Sequence, residues 1–180
     1  KIASRRIFQA HKLSVPRYRV YQKSRYKKEL MPQGADFPLV VKPAAHGSSI
    51  GLSIVDNRRA LDKAVDLAFS FDDRVIVEAY IKGREVTVGI LDERALPVVE
   101  IIPKRRFFDY QAKYHAGLTD YVVPAKIAHR VAGKAKGAAL AAHKLLGCAG
   151  CSRVDMILGV GGVPFILEIN SIPGMTPTSL

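Results

Sequence analysis

The sequence predicts an α+β protein in two lobes, with antiparallel or mixed sheets flanked by helices. Short runs rich in Val, Ile and Leu recur between turn signals, as strands do. Residues 57–69 carry apolar side chains at helical spacing, and residues 128–146 form a long alanine- and lysine-rich stretch. The composition shifts near residues 77–79, which marks a hinge between a smaller lobe, 1–77, and a larger one, 78–180. With 180 residues, 48% of them apolar, the chain can bury a core in one or two compact domains.

Each element has its own signal. Residues 4–10 read as a helix closed by the turn-like Ser14-Val15-Pro16, and 18–21 alternate as a short strand. Residues 23–36 are polar and irregular, with Pro32 and Gly34. Residues 37–43 form a buried strand that the proline ends. A loop, Gly47-Ser48-Ser49-Ile50-Gly51, leads to a second strand, 52–55. Asp56 or Asn57 caps a helix whose apolar stripe is Ala60, Leu61, Ala64, Val65, Ala68 and Phe69. Strands follow at 75–78, 85–91 and 96–102, the first two joined as a hairpin through Lys82-Gly83-Arg84. Residues 107–118 read as loop, and the helix at 128–146 stops at Gly147. A last hairpin turns through 159–164.

Bulk properties narrow the function classes. No apolar run reaches the roughly 18 residues of a membrane helix, and the basic N-terminus lacks the apolar core of a signal peptide. A soluble, cytoplasmic protein is expected. The net charge of +12 suits a phosphate partner, either nucleotide or nucleic acid. Tyr18, Tyr21 and Tyr26 lie among the basic residues 1–28, a pattern that could track a nucleic-acid backbone; a solvated basic face is the plainer alternative. Cys148 and Cys151 have the spacing of a redox pair or half a zinc site, yet packing thiols explain them as well. The chain starts at a lysine and stops just after a loop, so further sequence is expected at both ends.

The chemistry concentrates in the last third. Asp155 sits among Val154, Met156, Ile157 and Leu158, while Glu168 and Asn170 flank Ile169. Strand side chains alternate, so Glu168 and Asn170 share a face, and a hairpin brings Asp155 opposite them. Buried carboxylates need a partner, and three oxygen donors suit Mg²⁺. A polar strand face in solvent is the alternative. Upstream, Lys42 ends an apolar strand just before the Gly-Ser loop, whose Ser48 and Ser49 can wrap a phosphate. Glu78 and Glu85 flank Ala79, Tyr80 and Ile81, where backbone can read an adenine edge; ion pairs with Lys82 or Arg84 would equally explain the two carboxylates. Asp109-Tyr110-Gln111-Ala112-Lys113-Tyr114 is a dense polar-aromatic loop, either functional or simply a surface loop with packed tyrosines.

Taken together, Val41-Lys42-Pro43, the Gly47–Gly51 loop, Glu78 with Gly83-Arg84-Glu85, Asp109-Tyr110 with Ala112-Lys113-Tyr114, Arg153-Val154-Asp155, Glu168-Ile169-Asn170 and Pro173-Gly174-Met175-Thr176 with Ser179-Leu180 resemble the ATP-grasp enzymes. The resemblance is nearer still to the D-alanine–D-alanine ligases of bacterial cell-wall synthesis, and it spans nearly the whole chain. It implies two lobes that clamp ATP and a ligase that joins two D-alanines through a D-alanyl phosphate. By resemblance Lys42 takes the α/β-phosphates, and Ser48 and Ser49 the β/γ-phosphates. Glu78 with Ala79, Tyr80 and Ile81 takes adenine, Glu85 the ribose and Lys113 the γ-phosphate. Asp155, Glu168 and Asn170 hold two Mg²⁺ ions, with Mn²⁺ a possible substitute. Ser179 and Leu180 meet the carboxylate of the second D-alanine, and Tyr114 joins Ser48 over the site. Arg153 and the Gly174 N–H stabilise the tetrahedral oxyanion. A homodimer is implied, with ATP and D-alanine as partners and neither nucleic acid nor membrane. The family's N-terminal domain and a closing helix are not in this stretch, so the chain alone is expected not to complete ligation. A related ligase with D-lactate or another amino acid as acceptor is the alternative, and a basic nucleic-acid-binding module a more distant one. The pattern departs at Arg5 and Arg6, where the family often has a lysine, at Phe108 in place of tyrosine, and at Gln111 in place of glutamate.

Overall fold

A computed structural model of the chain describes residues 1–31, 36–47, 49–103 and 119–174. They form two compact units, one of Lys1–Ile2 with Pro16–Tyr80, the other of Ala3–Val15 with Ile81–Leu180. This division differs in two places from a cut at 77/78. The last strand of the first unit runs on through Ala79, and residues 3–15 pack with the second unit.

Helix α1 (Ile2–Ala10) thus belongs, from Ala3 onward, to the second unit. The first unit is an antiparallel sheet of β1 (Tyr18–Gln22), β2 (Leu39–Pro43), β3 (Ser53–Val55) and β4 (Arg74–Ala79), in the order β1-β4-β2-β3. Helix α2 (Arg58–Phe69) starts at Asn57, whose side chain accepts the Ala60 N–H at 2.9 Å. Its stripe of Leu61, Ala64, Val65, Ala68 and Phe69 packs on Val41, Val55, Val75 and Val77 of the sheet. Each fully buried aliphatic of this layer contributes about 1.5–3 kcal/mol. Tyr21 lies in the same core, and Tyr26 packs against it and against Phe69, with ring centroids 5.8 and 5.2 Å apart. Tyr21 is buried in this core and Tyr26 is half-buried against it, so packing accounts for both rings.

The second unit is an antiparallel sheet of β5 (Arg84–Leu91), β6 (Arg94–Pro103), β7 (Thr119–Val122), β8 (Cys151–Leu158) and β9 (Pro164–Asn170), in the order β7-β6-β5-β8-β9. Helix α3 (His129–Leu145) covers one face, where Ala135, Ala139 and Ala142 let it lie close to Val86, Val88, Val154, Met156 and Ile166. Buried His143 ties the helix to β8 through a 2.7 Å contact with the Ser152 hydroxyl. Strand β7 has no counterpart among the sequence expectations, because Thr-Asp-Tyr-Val is too short and too polar to signal itself. Cys148 and Cys151 are free and half-buried, and no cluster of three His, Cys, Asp or Glu that could hold a metal forms among the described residues.

Two details place the polar residues. β4 and β5 sit in different sheets, so residues 80–83 are a connector and not the hairpin turn that the sequence suggests. Gly83 is needed there, since a Cβ would lie 2.1 Å from the Leu158 carbonyl oxygen. In the last hairpin Asp155 pairs with Glu168 but Met156 pairs with Ile166, leaving Leu167 as an extra residue. That bulge resets the alternation. Ile166 buries against the helix-covered side while Glu168 joins Asp155 on the opposite face; the Ile166 N–H donates to the Ser14 carbonyl at 2.9 Å.

Candidate functional site

In the first unit, alternation puts Val41, Val75 and Val77 toward α2 and leaves Val40, Lys42, Ile76 and Glu78 on the other face. Lys42 lies opposite Ile76 and Glu78 opposite Val40, so the two charges are diagonal neighbours. The Lys42 ammonium donates to Glu78 Oε1 at 2.7 Å, and both side chains are buried, 10% and 3% exposed. The alternative reading of the sequence paired Glu78 and Glu85 with Lys82 or Arg84; the fold gives Glu78 Lys42, while Arg84 pairs with Glu100 on β6 and donates to the Lys126 carbonyl. The N–H groups of Ala79 and Tyr80 donate to the carbonyls of Arg17 and Pro38. A base edge would have to be read by other groups of 79–81.

The glycine- and serine-containing loop follows β2 and is pinned at both ends. Asp72, in the turn after α2, accepts the Ala45 N–H at 2.6 Å and the Arg74 N–H at 2.9 Å. Gly51 has φ +69°, and a Cβ there would sit 2.7 Å from the Phe71 ring. Ser49 also adopts positive φ, and the Ile50 N–H closes a turn onto the Gly47 carbonyl at 3.1 Å. Ser48 lies outside the described residues. Burial alone would push the Asp72 carboxyl up, but the N–H bonds of Arg74 and Ala45, with the nearby Arg74 and His46 charges, outweigh it and hold the group below the usual aspartate range. A carboxyl depressed in the folded state stabilises above its unfolded pKa, and that contribution fades as pH falls through the folded value. Asp72→Asn is therefore expected to cost roughly 1 kcal/mol at pH 6, with the gap to the parent closing below about pH 4. Urea unfolding across that pH range measures the gap; one that stays constant contradicts the anchor.

In the second unit the face away from α3 carries the polar set. Register places Thr87 opposite Asp155 and Gly89 opposite Arg153, then Asp155 opposite Glu168 and Arg153 opposite Asn170. Direct antiparallel partners share a face, so one line of polar side chains crosses β5, β8 and β9. Arg153 grips both oxygens of Asp155, Nε to Oδ1 at 2.9 Å and Nη2 to Oδ2 at 3.0 Å. The Asn170 amide donates to Oδ2 at 3.1 Å, and the Thr87 hydroxyl donates to Oδ1 at 2.7 Å. Glu85 lies on the same face of β5, and Tyr121 joins it from β7 through the β6 register at Ile101. Burial pushes the Tyr121 phenol above its ordinary value, with Arg153 pulling it back and Glu85 adding to the rise, which sets the three in one electrostatic neighbourhood.

The structure thus gathers Arg153, Asp155, Glu168 and Asn170, with Glu85 on the same sheet face. Gly174 is exposed at the end of the described chain. Lys113, Tyr114, Ser179 and Leu180 lie outside the described residues, as does the Asp109–Gln111 stretch. Sequence reasoning missed Asp72, Tyr121 and Thr87. Only Thr87 left a signal, as a hydroxyl in the apolar run Val86-Thr87-Val88. The donor set fits a hard divalent cation: two carboxylates and an amide of neighbouring strands converge on one face, and Asp155 attracts cationic and N–H or O–H donors to both of its oxygens.

Comparison with known proteins gives a consistent result. Residues 7–180 match the family model for the D-ala D-ala ligase C-terminus. The chain is 41% identical over 180 residues to a D-alanine–D-alanine ligase of Geobacter sulfurreducens, covering all of this chain and 57% of that protein. The fold superposes on a Bacillus anthracis D-alanine–D-alanine ligase complexed with ATP, with a TM-score of 0.80, 28% identity and coverage of 100% of this chain and 55% of that one. The VanG D-Ala:D-Ser ligase of Enterococcus faecalis gives a TM-score of 0.84 at 34% identity, covering 100% of this chain and 54% of that one. The two-sheet α+β architecture is the ATP-grasp fold, and the chain spans 57% of the Geobacter protein's length.

Proposed function

The chain belongs to the D-ala D-ala ligase C-terminal family, and from that membership we propose that it serves an ATP-dependent ligase joining two D-alanines for peptidoglycan precursor synthesis. The observation that carries the reading is the register that lines up Asp155 with Glu168 and Arg153 with Asn170 on one sheet face. On this reading the first unit handles phosphates through Lys42, Ser48 and Ser49, and adenine through Glu78 and the 79–81 backbone. In the second unit Glu85 takes ribose, Lys113 the γ-phosphate, and Asp155, Glu168 and Asn170 hold the Mg²⁺ ions. Bound there, the cations neutralise charge on the phosphate oxygens.

The chemistry has two steps. The carboxylate of the first D-alanine attacks the γ-phosphorus, giving an acyl phosphate and ADP. The amine of the second D-alanine then attacks the acyl carbon, and the tetrahedral oxyanion collapses with loss of phosphate and a proton. Arg153 and the Gly174 N–H are the proposed donors to that oxyanion; Ser179 and Leu180 seat the second carboxylate, and Tyr114 with Ser48 closes over it. The same reading carries a cytoplasmic homodimer with it.

Arg153→Ala in the complete enzyme is expected to lower turnover about a hundredfold, near 3 kcal/mol, while the KM for ATP changes less than about threefold. Steady-state kinetics decide it, and an unchanged turnover number refutes the role. A second reading, a ligase of the same type with another acceptor, is favoured by the likeness to the D-Ala:D-Ser enzyme. ADP release by the complete protein with D-alanine alone, and then with added D-serine, D-lactate or L-amino acids, separates the two. Dipeptide from D-alanine alone supports the first reading. ADP release only with a second compound supports the other, and none with any acceptor overturns both.

A further inference from the structure

Thr87 is 2% exposed, in the middle of an apolar strand. A buried hydroxyl is costly unless it finds a partner. Its oxygen lies 2.7 Å from Asp155 Oδ1 and 3.2 Å from the Val154 carbonyl oxygen. It has a single proton to give, and the shorter, charge-assisted contact takes it. The remaining contacts to Asp155 come from Arg153 on its own strand and Asn170 on β9. Thr87 reaches the carboxylate from β5. Arg153 lies on the carboxylate's own strand and Asn170 is itself a proposed ligand, so Thr87 is a brace from a neighbouring strand that takes no other part in the site.

We infer that Thr87 is a positioning residue for the cation site: its hydroxyl fixes the Asp155 carboxylate in the orientation in which Oδ2 meets the Asn170 amide, on the sheet face that Glu168 shares. The inference rests on the reading of Asp155 as a cation ligand and deepens it. Residues that brace metal ligands commonly contribute tenfold to a hundredfold in metal affinity or activity. Its hydroxyl donates to Asp155, so on this inference its effect runs through that carboxylate.

The test is Mn²⁺ binding to the complete protein with ADP present, with free ion read by electron paramagnetic resonance. Thr87→Val keeps the shape and removes the hydroxyl, and it is expected to raise the apparent Mn²⁺ dissociation constant about tenfold. Thr87→Ser restores a hydroxyl and is expected within about threefold of the parent. The KM for ATP at saturating Mg²⁺ should stay close to the parent value. Thr87→Ala carries the same test if the valine variant does not fold. A Thr87→Val or Thr87→Ala protein that binds Mn²⁺ like the parent, or a serine variant as weak as either, overturns the positioning role. Asp155→Asn separates the two levels. Weakened Mn²⁺ binding there, with Thr87→Val unaffected, sinks only this inference, whereas unaffected binding in Asp155→Asn sinks the cation reading itself.

Discussion

Replacing Glu78 with glutamine should cost the first unit about 3 kcal/mol of stability and weaken ATP binding at the same time. Lys42 and Glu78 form a buried pair on adjacent strands, 2.7 Å apart. Removing one partner takes a close charge-assisted contact from the other in a low-dielectric setting, and breaking a buried pair in this way typically costs 3–5 kcal/mol. Lys42→Met should cost a similar amount by taking the 2.7 Å contact from the carboxylate. The double change Lys42→Met with Glu78→Leu is the informative control. It replaces the pair with packed apolar groups and should return stability to within about 1 kcal/mol of the parent, because a buried ion pair contributes little net stability. It should not return ATP binding. Hydrogen exchange of the β2 and β4 amides reports the stability, and calorimetry reports nucleotide affinity. If the double variant recovers both, the pair is structural and Lys42 has no role with phosphate.

Asp155→Asn should reduce turnover of the complete enzyme by at least about a thousandfold. A bound cation supplies several kcal/mol of charge stabilisation to phosphoryl transfer, and each 1.36 kcal/mol is tenfold. Asparagine keeps the shape and one acceptor, so the register of β8 with β5 and β9 should survive. It loses the charge that Arg153 grips through both oxygens, where the two side chains are only 19% and 11% exposed. A stability loss of about 2 kcal/mol is expected from that charge-assisted contact. The diagnostic is the combination of a large loss in turnover, a higher requirement for Mg²⁺ and a modest fall in stability. A variant that is destabilised but turns over normally with Mg²⁺ would mean that Asp155 serves only to pair with Arg153.

Much of this site could be read from the residues because it is built on alternation. Asp155, Glu168 and Asn170 stand out in apolar runs, and a hairpin is the simplest way to unite them. The bulge at Leu167 could not be read, since strict alternation would have put Ile166 on the same face as Glu168. The pairing partners of Lys42 and Glu78 were also hidden, because they depend on β2 lying beside β4 rather than on closeness in sequence. The supposed hairpin across Gly83 failed for the same reason: a glycine between two strands marks a close approach as readily as a turn, and here the approach is to the Leu158 carbonyl. Asp72 anchors the loop from 27 residues away through backbone N–H groups, which leave no mark in side-chain composition.

The most direct test is diffraction from crystals of the complete protein grown with Mn²⁺ and a non-hydrolysable ATP analogue, using the anomalous signal of manganese. A peak is expected beside the analogue's phosphates, about 2.2 Å from oxygens of Asp155, Glu168 and Asn170. A bound nucleotide whose cation sits elsewhere, with Asp155 still held only by Arg153, Thr87 and Asn170, would contradict it.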